Sequence, residues 1–138
     1  MDAIMTTELY WLTLTIGMTA LFWVPYILNW IMEHGMVAAL WNPKEYDHTQ
    51  PKAAWALRML RAHENAVENL VIFAPLVLIL HAMEISTAAT ATASMVYFTA
   101  RAAHFWVFAF AIPSLRVLTF LVGFGAQMVL VLTLLGII

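Results

Sequence analysis

The sequence predicts an all-α integral membrane protein, a bundle of four transmembrane helices. Its 138 residues are 64% hydrophobic and only 10% charged, whereas soluble domains are about 45–50% apolar and about 25% charged. Four mainly apolar stretches are each near the roughly 20 residues that a membrane-spanning helix needs. The length fits one domain over residues 1–138.

Charge and cysteine content exclude several classes of function. With a formal net charge of -2 and only six Lys and Arg residues, the chain lacks the basic surface that nucleic acid binding requires. It contains no cysteine, which excludes disulfides, thiolate metal sites and a cysteine nucleophile. No two histidines have the HxxxH spacing of a helical zinc site, so we predict no metal.

The first helix is predicted over residues 7–33. Its apolar run begins after Glu8 and is longer than the core of a signal peptide, whose start would also be basic. We therefore interpret it as a membrane span. Pro25 has no amide hydrogen and crowds the preceding turn, so it should kink the helix. The polar residues 33–52, which include WNPKEYDHTQPK, are predicted to form a loop at the membrane surface.

Three further helices are predicted along the chain. The second, residues 53–83, begins with polar side chains and is purely apolar from Leu70 to Leu80. The third, residues 88–111, is interrupted by Arg101 and His104 and should end before Pro113. The fourth covers residues 115–137 and carries no charge after its first turn.

Basic residues predict the orientation of these helices in the membrane. Four of them surround the first loop and one begins the fourth helix, namely Lys44, Lys52, Arg58, Arg61 and Arg116. Positive charge favours the cytoplasmic side. We therefore expect loops one and three in the cytoplasm and both termini outside, with Arg61 and Arg116 at the same membrane face.

The stretch RAHENAVENLVIF, residues 61–73, gives the second helix a polar face. At 100° per residue, six polar side chains share an arc of about 140°, namely Arg58, Arg61, Glu64, Asn65, Glu68 and Asn69. His63 points the other way, toward a neighbouring helix or the surface. A helix end leaving the membrane could carry such residues, but a carboxylate facing hydrocarbon costs about 2.5 kcal/mol or more. We favour a bundle interior with a basic partner.

Arg101 lies deep in the third helix, with 16 uncharged residues before it and 14 after it. One interpretation is that its side chain snorkels to the interface. We favour an interhelical ion pair with Glu68 or Glu64, because buried arginines in membranes are usually paired. His104 lies one turn later on the same face, as a hydrogen-bonded core residue or a ligand-binding residue.

Together these side chains suit a small zwitterionic ligand. Four arginines offer planar donor groups for carboxylates, two glutamates can bind an amine, and Asn65 can bridge peptide groups. An anionic lipid headgroup is the alternative ligand, although the glutamates argue against it. GFGAQ, residues 123–127, lies in an apolar span and is predicted to be a helix-packing site.

RAHENAVEN with its apolar helix, ARAAHFWVF and IPSLRVLTFLVGFGAQ resemble sequences of the MAPEG family, the membrane-associated proteins in eicosanoid and glutathione metabolism, particularly small bacterial members. The resemblance covers almost the whole chain, including VPYILNW and the WNP loop. It implies a four-helix protomer, a homotrimer in the bacterial inner membrane, and glutathione bound between subunits near the cytoplasmic face. Such an intersubunit crevice would also shield Arg101 and the polar face from lipid.

The resemblance also implies roles for individual residues. Arg61, Asn65 and Glu68 match the glutathione-binding residues of the family's second helix, and Arg101 matches its helix-three arginine. Arg116 matches the arginine that stabilises the glutathione thiolate, so we predict it as the catalytic residue. The predicted glutathione-binding set is Arg58, Arg61, His63, Asn65, Glu68, Arg101 and His104.

The activity that the resemblance implies is that of a glutathione-dependent transferase or peroxidase acting on lipophilic electrophiles. Two features depart from the family pattern. Positions one and two turns after the helix-three arginine, where tyrosines are frequent, hold His104 and Phe108, and no Lys or Arg precedes Lys44. A noncatalytic protein on the same scaffold, binding a lipid or a partner, is therefore the alternative. The expected partners are a lipophilic small molecule, membrane lipid and further copies of the chain, without nucleic acid.

Overall fold

The computed structural model describes residues 4–41 and 51–138, and within these ranges the chain is helical without strands. In these two ranges six α-helices follow one another: α1 (Thr7–Leu21), α2 (Trp23–His34), α3 (Met36–Trp41), α4 (Ala54–Ala82), α5 (Ala88–Ala109) and α6 (Pro113–Leu134). The predicted all-α fold class is confirmed. Lys44 and most of the predicted surface loop lie outside the described residues.

In the part of the chain that the structure describes, three segments are long and apolar enough to cross a membrane. Thr7–His34, which comprises α1 and α2, has 28 residues and a mean hydropathy of 1.5, while Ala54–Ala82 and Pro113–Leu134 reach 1.6 and 2.2. The predicted third span, α5, has 22 residues but is not among them. Its threonines, Ser94, Arg101 and His104 lower its hydropathy, and most of these polar side chains are buried against other helices.

The first span is divided at Phe22, one turn before Pro25, where the kink was predicted. Proline cannot donate a hydrogen bond to the carbonyl four residues earlier, so the helix loses its regular bonding at this point. The amide of Phe22 bonds instead to the carbonyl of Thr19 at 3.2 Å. The Phe22 ring stacks on Phe105 of α5 with 3.8 Å between ring centres. This contact packs the break between α1 and α2 against α5.

Part of the predicted surface loop is helical. Residues 36–41 form α3 after Gly35, whose φ of 88° ends α2 in a conformation that favours glycine. Glu33 then connects the two sides of this segment. Its carboxylate accepts hydrogen bonds from the backbone amides of Lys52 and Ala53, both at 3.0 Å, and so satisfies amides that precede α4.

Two apolar clusters follow each other along the bundle, with α5 taking part in both. One is built around Phe73, Tyr97 and Leu130, and the rings of Phe73 and Tyr97 stack at 3.8 Å. The other contains Phe22, Phe105 and the small residues of α4. Because α5 packs against α1, α4 and α6, most of the polar side chains on α5, including Arg101 and His104, lie inside the bundle.

A buried carboxylate joins the beginnings of α1 and α5. Glu8 is 2% exposed and accepts hydrogen bonds from the hydroxyls of Ser86 and Thr90. Thr87 and Thr90 also form a capping box at the start of α5. The sequence analysis did not predict this contact, which joins residues about 80 positions apart.

Candidate functional site

Arg101 occupies the centre of the site, between α4, α5 and α6. It is 3% exposed, and one terminal nitrogen of its guanidinium donates a hydrogen bond to the side-chain oxygen of Asn65. A methyl group added at Gly123 would lie 3.5 Å from the Cδ atom of Arg101. This is an ordinary van der Waals distance, so the arginine stem lies against α6 at Gly123 and an alanine would also fit there.

The predicted ion pair between Arg101 and Glu68 or Glu64 is wrong, because the partner that the structure gives Arg101 is the neutral Asn65. Asn65 lies on the side of the polar arc that faces α5 and is partly buried. The two glutamates lie on the other side of the arc and are exposed. One edge of the arc therefore carries amide side chains and faces the bundle, whereas the other edge carries the glutamates and is exposed.

The inward face continues through two more amides. Asn69 donates to the backbone carbonyl of Asn65 at 2.8 Å, and the buried Gln127 of α6 donates to the backbone carbonyl of Asn69 at 3.1 Å. Sequence reasoning missed Gln127 as a polar partner. Its position as a lone amide in an apolar span was the available signal, since such a group needs a hydrogen-bond partner inside a membrane.

His104 and Arg116 lie around a cleft beside this network. The cleft has a volume of about 230 Å³ and is lined by Asn65, His104, Phe108, Arg116, Val117, Phe120 and Leu121. His104 is 3% exposed, and its Nδ1 atom lies 2.9 Å from the hydroxyl of Thr119. The structure thus brings together three of the predicted site residues, Asn65, His104 and Arg116, with Arg101 directly behind Asn65.

Phe108 holds the guanidinium of Arg116 at the edge of the cleft. The Cζ atom of Arg116 lies 5.1 Å from the centre of the Phe108 ring, within the range of a cation–π interaction. The arginine remains exposed, so its charge is available to a ligand. Phe108 therefore places an aromatic ring where it orients this cation.

The outward face of α4 carries the remaining charged residues. Arg61 and Glu64 form an ion pair at 3.1 Å with side chains 51% and 48% exposed. His63 bonds to the hydroxyl of Tyr26 at 2.7 Å, which joins α2 to α4. A second groove of about 380 Å³ lies here, lined by Tyr26, His63, Glu64, Val67 and Glu68. Tyr26 is a contributor that the sequence analysis did not predict.

Arg58 bonds to the backbone at the end of α5. Its Nε atom donates to the backbone carbonyl of Ala109 at 2.8 Å, at the end of α5, where helix carbonyls lack intrahelical partners. Arg58 lines neither groove. Across the described ranges, no group of three or more His, Asp or Glu side chains could hold a metal ion.

Comparison with known proteins identifies the family. A model of the MAPEG family matches residues 10–136 of the chain. No curated protein and no solved structure matches it. The match includes the whole of α4, α5 and α6 and nearly all of α1. The chain is therefore an integral membrane protein that belongs to the MAPEG family, whose members are related to glutathione and eicosanoid metabolism.

Proposed function

We propose that the protein is a glutathione-dependent transferase or peroxidase that acts on lipophilic electrophiles. The observation that carries this proposal is the buried Arg101, bonded to Asn65 in a site whose rim holds the exposed cation of Arg116. A buried guanidinium held by an amide and a second cation at the edge of an apolar cleft suit a small anionic ligand beside a lipophilic one.

We further propose that the working form is a homotrimer with glutathione between subunits. The exposed charges Arg61, Glu64 and Glu68 lie on α4 directly before its apolar run. Charged side chains that face lipid are costly, whereas the surface of a second copy could cover them and supply opposite charges. The inward cleft and the outward groove lie on different sides of α4, so each would need a neighbour to be enclosed.

The nucleophile in this mechanism is the thiolate of glutathione, because the chain has no cysteine. A thiol has a pKa near 8.5 in water, and a neighbouring cation lowers it to about 7.5 or below. Arg116 supplies that cation at the mouth of the cleft. Asn65, held in place by Arg101, orients the peptide, and the apolar walls receive the electrophile, so that the two reactants meet in one place.

Thiolate formation on glutathione binding provides the direct test. We expect ultraviolet difference absorbance to show a thiolate in the wild-type protein, a weaker signal in Arg116→Lys, and almost none in Arg116→Ala. Phe108→Leu keeps the charge of Arg116 but removes the ring that orients it. Its thiolate signal should therefore be weaker than that of the wild type and stronger than that of Arg116→Ala. If Arg116→Ala forms thiolate as the wild type does, Arg116 is not the activating residue.

A noncatalytic lipid-binding protein is the second candidate, and one observation favours it. A cleft of about 410 Å³ is separate from Arg101 and mainly apolar, with Trp23, Trp30, Ile31 and Leu60 in its walls. Calorimetry in detergent distinguishes the candidates. Heat of binding with glutathione supports the enzyme, whereas heat with an anionic phospholipid and none with glutathione supports lipid binding.

A further inference from the structure

The carbonyl of Ala109, the last residue of α5, cannot receive its regular helical hydrogen bond. In an α-helix that bond comes from the amide four residues later, and that position holds Pro113, which has no amide hydrogen. The carbonyls of residues 106–108 accept bonds of 2.9–3.1 Å from amides of the turn that follows. Ala111, with a φ of 57°, takes the left-handed position of this Schellman motif. The Ala109 carbonyl therefore needs a donor from another part of the protein.

Arg58 supplies this donor from α4. Its Nε atom lies 2.8 Å from the carbonyl oxygen of Ala109. Ala109 is buried, and a buried carbonyl without a donor is costly. The side chains of residues 110–118 are all exposed, so packing holds the turn between α5 and α6 only weakly. The bond from Arg58 therefore replaces the amide that Pro113 lacks and fastens this turn to α4.

Arg116 follows this turn in the chain and receives two supports from it. Its amide bonds to the carbonyl of Ile112 at 3.1 Å, and its guanidinium lies against the ring of Phe108. Phe108 and Ile112 stand one residue before and three residues after Ala109. A shift of the turn at Ala109 would therefore displace both supports of Arg116 together.

We propose that Arg58 is a positioning residue for Arg116, which it holds at the correct distance from Asn65 through its bond to Ala109. Asn65 and Arg116 lie on opposite walls of the cleft of about 230 Å³, one on α4 and the other on α6. Arg58 stands about two helical turns before Asn65 on the same face of α4. It acts through the backbone and does not touch the reactants. The inference rests on the proposed function, in which Arg116 activates the thiol.

Three variants of Arg58 separate its hydrogen bond from its charge. In Arg58→Gln the side-chain nitrogen stands as many bonds from the backbone as the Nε atom of arginine, so the donor remains without the charge. Arg58→Lys keeps the charge but carries its nitrogen one bond farther out, and Arg58→Met removes both. Lys52→Met removes an exposed charge just before α4 and is the control for the loss of positive charge.

The first measurement is the pH midpoint of thiolate formation on glutathione binding, followed by ultraviolet difference absorbance. A neighbouring cation lowers the pKa of a thiol by about one unit or more. A misplaced Arg116 should supply only part of this effect, so Arg58→Met should raise the midpoint by about 0.5 units. Arg58→Lys should raise it too, whereas Arg58→Gln and Lys52→Met should stay near the wild type.

Two outcomes of this titration overturn the inference. If Arg58→Lys keeps the wild-type midpoint while Arg58→Gln raises it, the charge of Arg58 acts on the thiol directly. If neither Arg58→Lys nor Arg58→Met changes the midpoint, Arg116 does not depend on Arg58. Should Arg58→Met fail to fold, the comparison of the glutamine and lysine variants still decides between the bond and the charge.

Hydrogen exchange tests the turn without glutathione. In the detergent-solubilised protein, the amides of residues 110–116 should exchange several-fold faster in Arg58→Met and Arg58→Lys than in the wild type and Arg58→Gln. The amides of residues 94–100, in the middle of α5, should keep their rates. Unchanged exchange at the turn, or faster exchange throughout the protein, overturns the inference. If the wild type forms no thiolate, the proposed function fails, and these rates still decide whether Arg58 holds the turn.

Discussion

The bond between Arg101 and Asn65 supports a quantitative prediction about stability. Asn65→Ala removes the hydrogen-bond acceptor that the structure gives a guanidinium only 3% exposed. A hydrogen bond to a charged group contributes about 1.5–3 kcal/mol, and the buried cation that remains is poorly solvated. We expect Asn65→Ala to lower the free energy of unfolding by about 2–3 kcal/mol.

A double-mutant cycle separates this bond from other effects of the substitution. Arg101→Met removes the charge while filling similar space, and we expect it to cost about 1 kcal/mol. The combined variant should then be more stable than the sum of the single losses by about 1.5 kcal/mol. The free energies come from reversible denaturant titration in one mixed detergent system, followed by circular dichroism.

Asn69→Ala is the matched control. Asn69 lies one turn after Asn65 and donates within its own helix, so its loss should cost about 0.5–1 kcal/mol. If Asn65→Ala and Asn69→Ala cost the same, or if the coupling energy with Arg101 is near zero, the buried arginine does not depend on Asn65 and the reasoning is refuted.

Three further substitutions test other contacts by the same titration. Phe73→Ala opens a cavity under Tyr97 at a fully buried position and should cost about 3–5 kcal/mol, whereas Phe73→Leu should cost clearly less. Glu33→Ala removes the acceptor of two backbone amides before α4 and should lower the free energy of unfolding, with Glu33→Gln recovering part of the loss; equal losses in the two variants would contradict the amide contacts. Glu8→Ala leaves the Thr90 hydroxyl without its carboxylate and should cost about 2 kcal/mol, and a loss below 0.5 kcal/mol would contradict that contact.

The sequence was sufficient to predict which residues are unusual, but not which of them meet. Arg101 was identified because a charge far from both helix ends must be enclosed, and it is buried. Its partner was assigned wrongly, because an arc of about 140° on one helix does not say which edge faces the neighbour. Asn65 and Glu64 are adjacent in sequence, yet one is turned inward and the other outward.

Contacts between residues far apart in the sequence also could not be predicted from local sequence patterns. Glu8 and Thr90 are 82 residues apart, and neither occupies a motif that would signal the other. Gln127 donates a hydrogen bond to a backbone carbonyl, and no sequence pattern distinguishes one backbone carbonyl from another. By contrast, α3 could have been predicted, because residues 36–41 lie between Gly35 and Asn42-Pro43 and four of the six, Met36, Ala38, Ala39 and Leu40, are good helix formers.

The polarity of α5 has a consequence for how the chain enters the membrane. An arginine at the centre of a helix costs about 2.5–3.5 kcal/mol during insertion, and α5 is not among the three segments apolar enough to cross on composition alone. The helices before and after it in the chain, α4 and α6, are both among these segments. We therefore expect α5 to enter the bilayer only together with α4 and α6. Asn65 is then already present when Arg101 leaves water, so the bundle assembles and the site is completed in the same step.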